Sequence, residues 1–287
     1  MNKSFPSIKS YFKNRTAVIA NKHGKERVIA PILEKALGLK IIVPEEIDTD
    51  QFGTFTLDIP RKGSQLEVAR NKALEGIRLT GLDIGIASEG TFSPYGLTNA
   101  DTEIVLLYDL KNNWEFVGGS KSLLTNIAET YVNTVNEALL FAKQVGFPKH
   151  GLVVRKNKND TKYMKKGITN KAELKETVGK ILQLPFNNKA FLETDMRAHL
   201  NPTRMDVIQA ATLDLVQTIK RRCMECGTPG MQYIRSNPGL VCSSCGLKTD
   251  NTLSITYECQ SCQATKDELY PYGIKVCDPA NCQWCNP

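Results

Sequence analysis

No cysteine occurs among the first 222 residues of this 287-residue chain; all nine lie between Cys223 and Cys285. That distribution excludes a disulfide framework for the body and isolates a tail with chemistry of its own. No stretch approaches the ~20 apolar residues that a membrane-spanning helix needs. The opening MNKSFPSIKSYFKNR has no apolar core of a secretory signal. A cytoplasmic location and no membrane partner are therefore expected, and in a reducing compartment the thiols are expected to hold metal rather than to pair. Internal repeats and low-complexity tracts are also missing from the body, which argues for one globular core with a small appendage.

What is present begins with charge. The formal balance is +7, and two zinc ions each held by four thiolates would bring it to about +3. From Arg221 onward six basic residues meet six acidic ones, so the tail does not carry the excess. Residues 1–27 hold seven Lys/Arg against Glu26, and Arg155 to Lys166 hold six against Asp160. Each run is a solvated surface or a polyanion contact.

Eight of the nine cysteines form C-x-x-C knuckles: Cys223/Cys226, Cys242/Cys245, Cys259/Cys262 and Cys282/Cys285. Consecutive knuckles separated by roughly 15–20 residues have the spacing of a zinc ribbon. The spacing therefore predicts one site from the first two knuckles and a second from the last two. Gly227 and Gly246 suit the turns that aim backbone N–H groups at sulfur. Cys277 is expected to be the spare thiol. Four protein ligands close each site, so the metals are expected to be structural. Tyr233, Tyr257, Tyr270, Tyr272 and Trp284 are alternatively surfaces for stacking on bases.

In the body, strands are expected at Thr16–Ala20, Leu39–Val43, Leu82–Ala87, Glu103–Tyr108, Trp114–Val117, Leu152–Val154 and Phe191–Thr194. Helical spacing covers Val28–Leu37, Ser64–Leu79, Ala128–Val145, Lys171–Leu182 and Asn201–Lys220; residues 44–62 are expected to be mostly loop. Strands alternating with helices give an α/β fold, a mixed sheet flanked by helices.

Four constellations could carry chemistry. The turn Asn21–Lys25 leaves a strand and enters a helix, presenting N–H groups, Lys22, His23 and Lys25 to an anion. Ser64-x-x-Glu67 is a capping box, although Glu67, Arg70 and Asn71 also form a polar stripe on one helix face. Glu89-Gly90 places a carboxylate just past a buried strand, where ligands bind in open α/β sheets. Arg197, His199 and Arg204 crowd a helix N-terminus, an arrangement that favours an anion or the carboxylate of Asp195.

The run Glu67-Val-Ala-Arg-Asn-Lys72-Ala73 resembles the E-N-A-x-x-K-A helix of the inosine/xanthosine triphosphate pyrophosphatase superfamily. Ile86-Ala-Ser-Glu89-Gly90 is similar to the acidic strand end that follows it there, Ala20–Lys25 to the nucleotide loop, and Asn201-Pro-Thr-Arg204 to a late L-T-R element. Val68 replaces the family's asparagine, and one carboxylate stands where many relatives have two. T-D-M-R-A-H-x-N-P-T-R-M with the knuckles and a terminal C-N-P resembles, more closely, a bacterial family of unknown function.

The pyrophosphatase resemblance implies an ITPase-like fold and Mg²⁺-dependent cleavage of a nucleoside triphosphate to monophosphate and pyrophosphate. Glu67 and Glu89 would hold the metal. Lys22, Lys25, Lys72, Arg197 and Arg204 would meet phosphates, and Asn21, His23 and His199 would lie near base or sugar. The domains expected are 1–220 for the pyrophosphatase-like body, 221–250 for a first zinc ribbon and 251–287 for a second. A nucleotide is the expected ligand. The alternatives are a non-catalytic nucleotide or RNA binder, a protein-interaction scaffold, and a homodimer of any of these.

Overall fold

The computed structural model describes residues 4–21, 23–44, 63–96, 98–185 and 188–287. The chain divides into two compact units, Asn14–Leu215 and a second that joins Met1–Lys13 to Val216–Pro287. The architecture is mixed α/β, and two four-cysteine groups lie near the C-terminus. The loop expected at 44–62 falls almost wholly outside the described residues.

In the larger unit, β1 (Thr16–Ala20) pairs in parallel with β2 (Lys40–Ile42) and β3 (Ile84–Tyr95). The antiparallel strands β4 (Thr98–Asp109) and β5 (Trp114–Ser122) complete a five-stranded sheet of order β2-β1-β3-β4-β5. Helix α1 (Glu26–Leu37) connects β1 to β2 and ends at Gly38 in the left-handed region, φ 73°. Pro31 lies inside α1. Helix α2 (Gln65–Thr80) leads into β3 and starts with the full capping box of Ser64 and Glu67. Strands β3 and β4 are longer than their apolar stretches predict, because twelve residue pairs run in one register from Ile84↔Asp109 to Tyr95↔Thr98.

Side-chain alternation separates the two faces of this sheet. Ala87 and Leu106 lie under Ala69 and Ala73 of α2. The opposite face presents Ser88 and Gly90 of β3 beside Val105 and Glu103 of β4. Helix α5 (Pro202–Lys220) packs there. A Cβ on Gly118 of β5 would stand 2.1 Å from the Leu215 amide nitrogen, so only glycine admits the helix at this distance.

A second, antiparallel sheet has the order β6-β9-β7-β8, with β6 at Glu129–Val132, β7 at Leu152–Arg155, β8 at Met164–Ile168 and β9 at Ala190–Thr194. Helices α3 (Val135–Gln144) and α4 (Lys171–Leu182) pack on it through Ala138, Phe141, Leu174 and Val178. The single helix expected over Ala128–Val145 is therefore a strand followed by a helix. Thr130, Tyr131 and Val132 favour the extended chain, and the Thr134 hydroxyl accepts from the Glu137 N–H at 3.1 Å to start α3. Strand β8 was not expected. It lies in the basic run, whose cations are largely engaged. Arg155 pairs with Glu193 at 2.5 Å, Lys165 with Glu173 at 3.1 Å, and Lys158 with Glu129. Buried Lys156 donates to the carbonyls of Ile181 and Leu184.

The smaller unit contains a three-stranded antiparallel meander, β10 (Gln232–Pro238), β11 (Thr252–Glu258) and β12 (Thr265–Leu269). Among the described residues no helix is long and apolar enough to cross a membrane.

Candidate functional site

The chain leaves β1 through α1 toward β2, then returns through α2 to β3 on the other side of β1. Right-handed crossovers in opposite directions put α1 and α2 on opposite faces. The carboxyl ends of β1 and β3 thus meet at the switch point, the position at which open α/β sheets accept ligands. Alongside it stand the turn into α1, residues 88–90 of β3, the facing part of β4 and the start of α5.

Charged side chains converge here and are nearly all buried. Lys72 of α2 meets Glu89 at 2.7 Å. On the other face, Arg204 Nε donates to Glu103 Oε1 at 2.6 Å, and both side chains are at most 1% exposed. Arg204 also donates from Nη1 to the Met196 carbonyl at 2.7 Å, and its own amide donates to Asn201 Oδ1 at 3.1 Å. Asn201 thereby caps the helix that carries the arginine. Lys25 lies 3.9 Å from Glu103 Oε2. Burial holds the Lys25 amine down to about 8, with Glu103 pulling the other way. Burial, reinforced by the charge of Glu103, pushes the Asp101 carboxyl up to about 7. Among the described residues, Asp101 Oδ1, Glu103 Oε2 and Ser88 Oγ have no hydrogen-bond partner.

Of the residues singled out in the sequence, Lys25, Lys72, Glu89 and Arg204 are brought together. His23 and His199 stack with ring centroids 5.2 Å apart and an interplanar angle of 15°. His23 has a φ of 134°, unusual outside glycine. Burial, then the charge of Arg197, lowers the pKa of His199. Arg197 is held on Asp195 at 2.6 Å, and Asn21 donates to Glu26 at 2.7 Å. Lys22 lies outside the described residues.

Glu67 is not in the cluster. It is exposed, and its carboxylate accepts the Ser64 N–H at 2.7 Å, a bond that lowers its pKa. Five residues along a helix turn the chain by about 500°, which leaves Glu67 about 140° around α2 from Lys72. Since Lys72 faces Glu89, Glu67 faces elsewhere. Arg70, from the same stripe as Glu67, pairs with Glu115 at 2.5 Å. A Mg²⁺ site built from Glu67 and Glu89 does not fit these side chains: one closes a helix cap and the other is ion-paired.

Asp101 and Glu103 were missed. Their signal was two carboxylates at i and i+2, aligned with the inward-facing Val105 and Leu107 on a strand whose apolar part begins only at Ile104.

The cysteines form two four-sulfur groups, Cys223/Cys226/Cys259/Cys262 and Cys242/Cys245/Cys282/Cys285, each with all sulfurs within 4.8 Å of one another. The consecutive pairing expected from the spacing is therefore replaced by an interleaved one, and the division into 221–250 and 251–287 dissolves with it. The meander is the cause. Seven extended residues of β10 carry the chain roughly 20 Å, so the second knuckle lies at the far end of the sheet. The antiparallel register Gln232↔Glu258 instead brings the start of β10 beside the end of β11, and the first knuckle beside the third. Cys277 stays outside both groups and accepts from Asn251 Nδ2 at 3.1 Å.

The donor set suits zinc. Four thiolates at the usual Zn–S length of about 2.3 Å sit about 3.8 Å apart at tetrahedral corners. The Cys223–Cys262, Cys242–Cys285 and Cys245–Cys282 sulfurs are 3.7, 3.8 and 3.8 Å apart. Backbone N–H groups of Glu225, Ser244 and Ser261 point at the leading sulfurs at 3.4 Å. Those of Cys245 and Ser244 pull the Cys242 thiol down to about 7. Both groups could hold zinc.

Residues 72–287 match the model of a domain of unknown function, DUF6671. The chain belongs to this family. The DUF6671 match starts at Lys72 and takes in Glu89, Asp101, Glu103, Arg204 and all eight knuckle cysteines, while β1, α1 and Lys25 precede it. No curated protein matches the chain.

Proposed function

We propose that the Asn14–Leu215 unit binds a phosphate-bearing ligand, a nucleotide, at the carboxyl ends of β1 and β3, and that the cysteine groups each hold a structural zinc. The observation that carries the ligand proposal is the convergence of Lys25 from the turn into α1, Lys72 from α2 and Arg204 from α5 on one end of the sheet. Cations shielded from water act on phosphate oxygens far more strongly than solvated ones do. The glycine-containing turn into α1 adds backbone N–H groups.

The resemblance to inosine/xanthosine triphosphate pyrophosphatases extends this to an ITPase-like fold and to a reaction, hydrolysis of a nucleoside triphosphate to monophosphate and pyrophosphate. Lys25, Lys72 and Arg204 would hold the phosphates. Asp101, tuned to about 7, lies in the range for moving protons at neutral pH. RNA binding through Arg155–Lys166 has less support, since those cations have partners within the fold.

The test is a panel of canonical and non-canonical nucleoside triphosphates, followed by thermal shift and by pyrophosphate release with divalent cations present. Ligand-dependent stabilisation supports the site, and pyrophosphate release supports the reaction. A panel that gives neither removes the proposal.

A further inference from the structure

The buried charges of the cluster cancel. Among the described residues, the charged side chains at least nine-tenths buried at this end of the sheet are Lys25, Lys72, Arg204, Glu89, Asp101 and Glu103. Three cations face three carboxylates. An entering anion adds negative charge to a site that is already balanced and shut off from water, where an uncompensated charge is strongly disfavoured. Lys72 and Arg204 are already engaged by Glu89 and Glu103. The balance is restored by neutralising one carboxylate.

We propose that an anion binding at this site takes up a proton, and that Asp101 is the group that carries it. This rests on the phosphate-site proposal above. Glu89 and Glu103 each have a cation within 2.7 Å, whereas Asp101 is in no ion pair among the described residues. It is 1% exposed, and its Oδ1 has no hydrogen-bond partner among the described residues. Glu103 of the same strand, Arg204 of α5 and Lys25 at the start of α1 are the charged groups that bear on it. Across the sheet it faces Phe92 of β3 and Ser122 of β5, neither of which titrates in this range. A protonated Asp101 becomes an O–H donor two residues along β4 from Glu103, on the same face of the strand, and Glu103 Oε2 is a further atom without a hydrogen-bond partner among the described residues. The same proton therefore removes a negative charge and supplies a donor on the strand face that carries the unmatched Glu103 Oε2. The carboxyl is already poised, since burial and Glu103 bring it to about 7. A second anionic group nearby raises it further.

The experiment is calorimetric titration of pyrophosphate into the full-length, zinc-loaded protein at about pH 8, in buffers of different ionisation enthalpy, for wild type and Asp101→Asn. Pyrophosphate's own titration and that of Lys25, which burial holds at about 8, are common to both proteins and cancel in their difference. Wild type is expected to take up close to one proton more than the variant, because Asp101 is mostly ionised before binding at that pH. Pyrophosphate that fails to bind wild type overturns the phosphate site and this inference with it. Binding with equal proton counts in the two proteins overturns this inference and leaves the site standing. If Asp101→Asn lacks a cooperative melt, the side-chain carboxyl of Asp101 is titrated by carbon-13 NMR in wild type, with and without saturating pyrophosphate. An upward-shifted midpoint is expected, and an unmoved one refutes proton uptake at Asp101.

Discussion

Gly90 of β3 lies directly across from Glu103 of β4, and a Cβ placed on Gly90 would stand 2.1 Å from Glu103 Oε1 and 2.4 Å from its carboxyl carbon. The missing side chain is what lets a buried carboxylate lie flat over the neighbouring strand and reach Arg204. Sequence alone would read this glycine as a turn after a strand; in the fold it is a mid-strand vacancy filled by an ion pair.

Gly90→Ala is therefore expected to push Glu103 off Arg204. Separating the partners of a buried pair costs about 3–5 kcal/mol. Chemical denaturation monitored on the larger unit should show a loss of that order. A variant as stable as wild type would mean that the pair has room to move.

The interleaved cysteine arrangement makes a prediction that depends on pairing alone. Cys226→Ser with Cys262→Ser removes two ligands from one group, so one tightly held zinc of two should remain. Cys226→Ser with Cys245→Ser damages both groups, and neither zinc should be held tightly. Native mass spectrometry reads the count directly. Consecutive ribbons would give the reverse pattern. Loss of a structural zinc should also unfold the surrounding segment.

Stability should depend on pH through Asp101. Its folded-state pKa, about 7, lies above the ordinary carboxylate value of 3.8. The folded protein binds this proton more tightly than the unfolded chain does, so the stabilisation is full below the unfolded pKa. It fades as pH rises through about 7. Lys25, held down to about 8 from 10.5, acts above that window. It stabilises fully above its unfolded pKa and loses the contribution as pH falls through about 8. Melting temperatures from about pH 5 to 7.5 should show a decline that Asp101→Asn removes. A decline equal in the two proteins would assign it to other groups.

Much of the architecture was legible because local signals agreed. The Ser64/Glu67 capping box, the apolar run Thr16–Ala20 and the Asn201-Pro202 helix start each specify one element without help from distant residues. Long-range register was not legible. The knuckle spacing fits two consecutive ribbons as well as two interleaved groups, and only the β10–β11 register chooses. Tyr131 and Val132 satisfy helical spacing until pairing with β9 claims them as a strand. Glu67 and Lys72 sit in one motif, yet the turn of α2 separates their faces, so a motif read along the chain joined residues that the helix parts. Asp101 and Glu103 escaped notice because carboxylates on a strand usually face water, and burial is a property of the sheet.

Calorimetric titration of a nucleoside triphosphate into wild type and Lys25→Gln tests the phosphate site most directly. Lys25 is buried but only loosely paired, at 3.9 Å from Glu103, and the Gln variant keeps most of its length without the charge. Binding is expected to weaken at least about tenfold, equivalent to about 1.4 kcal/mol, with the melting temperature little changed. Equal affinity in the two proteins would contradict a ligand site at the carboxyl ends of β1 and β3.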